Sequence, residues 1–186
     1  MNYLPWFEKR LTRLLLLILV ATATAAAQST TGTLNVELEN GSGIIMVFNS
    51  DASGVTLGNP GTSAATLAFG TVSEYGALGT GITRTVGTSS FTVSTPFDVN
   101  VEESGTTSSS YSLAAALSAA APTGITIEVD SVTLSTSSQT VSTTSSYGGN
   151  VAHTLSAVVS TSASGAGGPT TGTQLTSTIN FTATAN

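Results

Sequence analysis

The feature that most constrains this chain is an apolar residue at every second position in one segment after another. Residues 33–39 place Leu34, Val36 and Leu38 on one face of an extended chain and polar residues on the other. A period of two belongs to a β-strand, whereas an amphipathic helix repeats every 3.6 residues. Residues 43–48 form an unbroken apolar run, which is typical of a strand covered on both faces. The alternation recurs in further segments: 91–101, 125–129, 151–159 and 174–185.

Clusters of glycine, asparagine and proline separate these segments, at 40–41, 59–61, 148–150 and 165–169. Many short strands with turn residues between them predict an all-β fold, and a β-sandwich with Greek-key connections in particular. Pro96 cannot donate a hydrogen bond to a neighbouring strand, so it predicts a bend or a sheet edge.

Residues 113–121 are the segment in which a helix competes with a strand. The segment is rich in alanine, which favours a helix, and Pro122 would end that helix. The alternation of apolar residues nevertheless begins at Tyr111 and continues through Leu113, and the preceding serines and threonines make only a weak helix cap. We therefore predict a strand.

The first 27 residues resemble a secretory signal peptide. Its parts are a positively charged start (Lys9, Arg10, Arg13), an apolar stretch (14–20) and a run of small residues (21–27). The apolar stretch is shorter than the ~20 residues of a permanent membrane helix. We expect cleavage before Gln28, which leaves 28–186 as one domain without a membrane span, with an uncleaved anchor as the alternative. The expected location is secreted or cell-surface, through the periplasm in a Gram-negative cell.

Charge and cysteine content exclude several classes of function. Beyond residue 27 the chain has nine acidic residues and one basic residue, Arg84, which gives a formal charge of −8. Nucleic-acid binding by phosphate neutralisation needs clustered lysine and arginine, so we expect no nucleic-acid partner. The absence of cysteine excludes disulfide frameworks, thiolate metal sites, cysteine nucleophiles and a lipid anchor at the cleavage point.

The candidates for chemistry are few. His153 is the single histidine and shares a strand face with Val151 and Leu155, so we interpret it as a partly buried residue at a sheet edge rather than a catalytic base. Two carboxylate pairs at i, i+2 spacing, Glu37/Glu39 and Glu128/Asp130, suit Ca²⁺ or a glycosidase couple in principle. Each pair lies opposite the apolar face of its strand, so we expect these side chains to point into water.

Short polar motifs add no chemistry. Asp51 with residues 52–54 resembles an Asx turn and lacks the ligand spacing of an EF-hand. The glycosylation sequons at Asn40 and Asn180 are too short to be specific. We therefore predict a protein that is not an enzyme and has no catalytic residue, cofactor or metal site.

The last segment continues its alternation to the end of the chain. Leu175, Ile179, Phe181, Ala183 and Ala185 share one face, and a row of threonines with Asn180 shares the other. This pattern predicts a core strand at the C-terminus. Together with 33–39 it gives two terminal strands, which is what assembly by strand addition to the open sheet edge of another copy requires.

Three segments resemble secreted pilin-like domains of the spore-coat-U and chaperone–usher type: Leu-Ala-Phe-Gly at 67–70, Phe-Thr-Val at 91–93 and Ile-Asn-Phe-Thr-Ala-Thr-Ala at 179–185. The resemblance implies an immunoglobulin-like sandwich that assembles into surface fibres by strand exchange. The chain differs from many such pilins in having no disulfide cysteines and no aromatic penultimate residue, since Ala185 stands there.

From these patterns we expect an exported structural or adhesive surface protein, a fibre subunit that associates with itself or with other surface subunits through edge strands. The alternative is a monomeric secreted module that binds carbohydrate or protein, and a hydrolase is the least favoured class. Sugar-binding faces need exposed aromatic rings. Because Tyr75, Tyr111 and Tyr147 are scattered in the sequence, the structural role is favoured.

Overall fold

The computed structural model describes residues 43–161 and 176–186, and the regular elements in those ranges are all β-strands. No helix in these ranges is long and apolar enough to cross a bilayer. In chain order the strands are β1 Gly43–Asn49, β2 Thr83–Val86, β3 Ser90–Ser104, β4 Tyr111–Leu117, β5 Ile125–Val129, β6 Val132–Thr133, β7 Gln139–Ser145, β8 Asn150–Ser160 and β9 Ile179–Ala185.

These strands form two antiparallel sheets. The larger sheet has six strands in the order β1-β3-β8-β5-β6, with β2 also paired to β3. The smaller sheet has three strands in the order β7-β4-β9. The chain passes between the sheets repeatedly, because β3 lies in the larger, β4 in the smaller and β5 in the larger again. The predicted all-β sandwich is confirmed at this level.

The core lies between the two sheets and consists of the inward positions of the alternating segments. Its fully buried side chains come from the middle strands of both sheets: Val99, Val101 and Val129 from the larger, and Tyr111, Leu113 and Ala115 from the smaller. The strand predicted within 113–121 is confirmed as far as Leu117, where β4 ends, and its side chains alternate strictly between buried and partly exposed. Packing of an apolar face at this position therefore overrides the helix propensity of its alanines.

The apolar run at 43–48 is a strand, but the expectation that both of its faces are covered is wrong. β1 lies at the edge of the larger sheet, and Ile45 on its outer face is 66% exposed. Ile44, Met46 and Phe48 on its inner face pack against the core while remaining partly exposed. A continuous apolar sequence thus marks an edge strand here.

Pro96 lies in the middle of β3, the longest strand in the described ranges, where a gap opens along one side. β1 pairs with β3 from Asp98 onward and β2 pairs with it only up to Ser94, so neither strand lies opposite Pro96. The loop between β1 and β2 fills this gap, since the Val55 amide donates to the buried Thr95 hydroxyl at 3.0 Å. The predicted sheet edge is therefore a local one, because β8 still pairs with Pro96 on the other side.

Two glycines allow this loop to approach β3 closely. A Cβ atom on Gly54 would lie 2.1 Å from the Pro96 carbonyl oxygen, and one on Gly81 would lie 2.3 Å from the Gly54 carbonyl. Gly81 also has φ of +80°, in the left-handed region that favours glycine. The loop is fixed further by Arg84, which donates to the carbonyls of Ser73 at 2.8 Å and Gly76 at 3.0 Å.

Several predicted features lie outside the described residues. These are the signal segment 1–27 with its cleavage point, the strand at 33–39 with Glu37 and Glu39, the turns at 40–41 and 165–169, and Leu175.

Candidate functional site

A histidine–aspartate pair forms the polar centre of the larger sheet. His153 lies on β8, between β3 and β5, and its side chain faces the core beside the ring of Phe97, with ring centroids 5.9 Å apart. Its Nδ1 lies 2.6 Å from Oδ2 of Asp130. His153 is 4% exposed in a middle strand, so its predicted place as a partly buried residue at a sheet edge is wrong.

Asp130 is positioned by a tight turn between β5 and β6. Asp130 and Ser131 both have positive φ, +51° and +67°, as the two central residues of a type I′ hairpin require. Its Oδ1 accepts a hydrogen bond from the amide of Thr154 at 2.7 Å, so both carboxylate oxygens are engaged. Asp130 is exposed, as predicted, but its carboxylate also binds His153 and Thr154, which the prediction did not include. The alternation along β5 could not predict this contact, because the hairpin turn redirects the side chain of Asp130.

The pair is arranged for a structural role. Nε2 of His153 is buried without a hydrogen-bond partner among the described residues. A general base must reach the proton that it removes, and a nucleophile must lie within hydrogen-bond distance of it. Here the ring nitrogen that a substrate would need is buried, and no described nucleophile lies within hydrogen-bond distance of it. The pair instead joins β8 to the turn after β5.

The remaining acidic residues lie apart from this pair. Glu128 accepts a hydrogen bond from the Thr133 hydroxyl at 3.2 Å on the strand beside it. Asp51 caps its own turn, accepting from the Ser53 amide at 2.7 Å and hydroxyl at 2.6 Å, which confirms the predicted Asx turn. The hydroxyl and then the amide of Ser53 hold the pKa of Asp51 below its usual value. Within the described ranges, no three histidine, cysteine or carboxylate side chains cluster as metal ligands.

One shallow depression lies at the start of β1, with a volume of about 190 Å³. Gly43, Ile45, Glu102, Glu103 and Ser104 line it. Small-molecule sites usually occupy ~300–1,000 Å³ and enclose most of the ligand. Its size and open form therefore do not suit a small-molecule site.

The tyrosines do not form a platform for sugar stacking. Tyr111 and Tyr147 pack on each other with ring centroids 5.4 Å apart, and Tyr111 is completely buried. Tyr111 and Tyr147 are distant in the sequence but adjacent in the fold. Tyr75 is 72% exposed and lies in the loop between β1 and β2. One exposed ring gives a weaker surface for carbohydrate than the paired or aligned rings that stacking requires.

The most accessible interaction feature is the outer edge of β9. The Asn186 amide donates to the Ser110 carbonyl at 3.0 Å, and the Ser118 amide donates to the Thr178 carbonyl at 2.9 Å. Even-numbered residues of β9 thus turn their backbone groups toward β4. Because consecutive residues of a strand point their backbone groups in opposite directions, Ile179, Phe181 and Ala183 turn theirs outward. No described strand pairs with that side.

The same odd-numbered residues place their side chains on the core. Ile179, Phe181 and Ala183 are partly buried, whereas Asn180, Thr182 and Thr184 are exposed, which confirms the predicted alternation. The Phe181 ring packs edge-on against Phe48 and Phe97, at centroid distances of 5.2 and 5.9 Å. Two details differ from the prediction: Phe181 is partly rather than fully buried, and Ala185 is exposed. Both follow from the position of β9 at a sheet edge.

The other edges in the described ranges each carry a protecting feature, whereas β9 has none. At β1, the Phe48 amide donates to the Thr62 carbonyl at 2.9 Å and the Phe48 carbonyl accepts from the Gly61 amide at 2.7 Å, so the following loop covers that end of the edge. β2 is short and contains Arg84, β6 has two residues, and β7 pairs with β4 through register shifts. β9 pairs with β4 without interruption, and residues 176–186 contain no charge, proline or glycine. Charges, bulges and short strands are how native proteins block edge pairing.

The chain matches no known family model, and a search of curated proteins finds no similar sequence. The geometry described above is therefore the basis for assigning a function.

Proposed function

We propose that the protein is an exported structural subunit of a cell surface or surface fibre, and that it assembles by adding an extended segment of another copy to the outer edge of β9. The resemblance to pilin-like domains, the signal-like start and the two-sheet sandwich support this proposal together. A cleaved signal and an immunoglobulin-like Greek-key topology are parts of it.

The observation that carries the proposal is the edge of β9, which no strand of the described residues covers. Isolated edges of this kind present a row of free backbone donors and acceptors that another strand can use. The partly exposed side chains of Phe48 and Phe181 lie beside it, and an added strand would cover them. Burial of apolar area and completion of the backbone ladder would then both stabilise the assembled state.

The C-terminal strand accepts a partner rather than leaving its own domain. All seven residues of β9 pair with β4. The Asn186 side chain also donates to Ser110 Oγ at 3.2 Å and to the Thr143 carbonyl at 3.1 Å, which fastens the end of the strand. Of the two terminal segments considered from sequence, this one therefore supplies the open edge.

The first test is the size and form of the purified chain from Gln28 to Asn186. Light scattering coupled to size exclusion, followed by electron microscopy, should show oligomers or fibres whose size increases with protein concentration. A monomer at every concentration would contradict the proposal and would favour the monomeric binding module instead.

A pair of proline variants locates the edge that is used. Ala183→Pro removes an amide that points away from β4, so it should block assembly while the domain still folds, as edge strands tolerate proline. Thr184→Pro is the matched control, because its amide points toward β4 and its loss should lower the melting temperature. Assembly by Ala183→Pro at the wild-type level would exclude this edge.

A further inference from the structure

We infer that the segment added to β9 is β9 of a second copy, running antiparallel about a two-fold axis at Thr182. The inference rests on the function proposed above, because it names the partner of the same edge. A two-fold contact uses the β9 edge of both copies and closes a dimer, so a fibre requires a second contact between such dimers. The inference follows from the direction of the free backbone groups, the sizes of the inward side chains and the distribution of charge.

The free backbone groups fix which residues can pair. In an antiparallel ladder, residues that exchange two hydrogen bonds alternate with residues that exchange none. Since Phe181 and Ala183 both point their backbone groups outward, they can form a hydrogen-bonded pair across the interface. An axis at Thr182 pairs Phe181 with Ala183 of the second copy and Ile179 with its Ala185. This register uses the full length of β9, and any other register uses less of it.

The side chains suit the same register on both faces. On the inward face each large residue, Phe181 or Ile179, meets an alanine, so the two copies do not collide. On the outward face Thr182 meets Thr182, and Asn180 meets Thr184, and such cross-strand pairs of small polar residues are favourable. All these outward side chains are exposed in the single chain and free to make the contact.

The distribution of charge favours a contact through the smaller sheet. The charged residues that lie within strands, Arg84, Asp98, Glu102, Glu103 and Glu128, all belong to the larger sheet, and β4, β7 and β9 contain none. Two copies that each carry a formal charge of −8 beyond residue 27 repel each other over much of their surface. The smaller sheet allows its edge to approach another copy without placing like charges together.

Charge also favours β9 of a second copy over residues 33–39 as the added strand. Residues 33–39 contain Glu37 and Glu39, which would bring negative charge to the edge of an already negative copy. A second β9 brings none. We therefore take 33–39 as the competing occupant, to be distinguished by experiment.

The absence of cysteine makes a disulfide test direct. At the two-fold axis, Thr182 meets its counterpart in a pair without hydrogen bonds, where Cα atoms lie ~4.5 Å apart, within the range that a disulfide spans. Thr182→Cys should therefore give a disulfide-linked dimer on mild oxidation. Thr184→Cys is the matched control, because four residues of offset separate it from its counterpart by ~13 Å. We expect at least about a tenfold excess of linked dimer for Thr182→Cys over Thr184→Cys.

A double variant checks the register independently. Asn180 pairs with Thr184 of the second copy in this arrangement, so Asn180→Cys combined with Thr184→Cys should link two copies, whereas each single variant should not. All three positions are exposed, so the variants should melt like the wild-type chain.

The outcomes separate this inference from the broader proposal. A folded Thr182→Cys variant that stays unlinked, or one that links no more than Thr184→Cys, would overturn the inference. If such a variant still forms fibres, the proposed function survives and another segment such as 33–39 occupies the edge. Linked dimers without fibres would keep this interface and refute the fibre.

Discussion

Replacing Phe181 by alanine is the most direct measure of how β9 is held. The ring contacts Phe48 and Phe97 at the opening between the sheets and is partly buried. A buried aromatic side chain removes ~150–250 Å² from water, and ~25 cal/mol per Å² gives several kcal/mol for full burial. Partial burial and the area that alanine keeps reduce this figure, whereas the two edge-on ring contacts add to it. We expect Phe181→Ala to lower the free energy of unfolding by about 3 kcal/mol.

Thermal melts followed by circular dichroism would measure the effect. For a domain of this size, each kcal/mol shifts the midpoint by ~2–4 °C, so a loss of about 3 kcal/mol corresponds to about 6–12 °C. Thr182→Ala is the neighbouring control, because its side chain is exposed, and it should change stability by no more than ~0.5 kcal/mol. Phe97→Ala provides an upper reference, since Phe97 is 5% exposed and should cost more than Phe181.

The ranking of these three variants is the decisive result. Only a strand that faces the core with its odd-numbered residues gives a large loss at Phe181 and almost none one residue later. Equal midpoints for Phe181→Ala and Thr182→Ala would refute the packing of β9. Melts at several protein concentrations would separate the stability of the domain from any contribution of self-association.

Three further predictions concern the core, the hairpin turn and export. Burial raises the pKa of Tyr111, and the neighbouring Ser145 hydroxyl opposes this effect only in part. The Tyr111 hydroxyl makes no well-formed hydrogen bond among the described residues, so Tyr111→Phe should change stability little at neutral pH. It should reduce the loss of stability above about pH 10, where unfolding allows the phenol to ionise. A clear destabilisation of the phenylalanine variant in denaturant melts would show that the contact with Ser145 stabilises the fold. Asp130→Ala should cost about 2–4 kcal/mol, because it loses the bond to His153 and places alanine at positive φ, whereas Asp130→Asn should cost less than half as much. Equal losses would mean that the carboxylate, which both variants lack, accounts for the whole effect and that positive φ contributes little. N-terminal sequencing of exported protein should begin at or near Gln28, and a start at Met1 would exclude cleavage.

Most of the fold could be predicted from the sequence, because an apolar residue at every second position has one main physical cause, a strand with one face on a core. Where alternate side chains face a core, the apolar set falls on one side of the strand. β3, β4 and β5 show this pattern as predicted, and β8 shows it over residues 150–155. The predicted strand at 113–121 shows that the pattern is informative even where residue propensities favour a helix. The turn residues at 59–61 lie between strands as predicted, in the loop from β1 to β2, where Asn59 has φ of +55°.

The pattern did not show which strands lie at edges, because periodicity describes one strand and neighbours are a property of the whole sheet. A continuous apolar run therefore suggested a central strand at β1, where an edge strand lies. For the same reason His153 was misplaced, since β8 lies between β3 and β5. The link between His153 and Asp130 joins residues that are far apart in the strand pattern, and only the geometry of the turn after β5 brings them together.

The location of charge connects the fold with the proposed assembly. In a single domain, an uncharged edge strand is a disadvantage, because it invites pairing with any other extended chain, and protection requires only one lysine or proline. The other edges in the described ranges are protected in other ways: by a loop contact at β1, by short length at β2 and β6, and by register shifts at β7. β9 lacks such protection over its whole length while keeping the regular alternation that a partner strand would match. This contrast between β9 and the other described edges supports the proposed assembly at β9 rather than a function at the polar centre around His153.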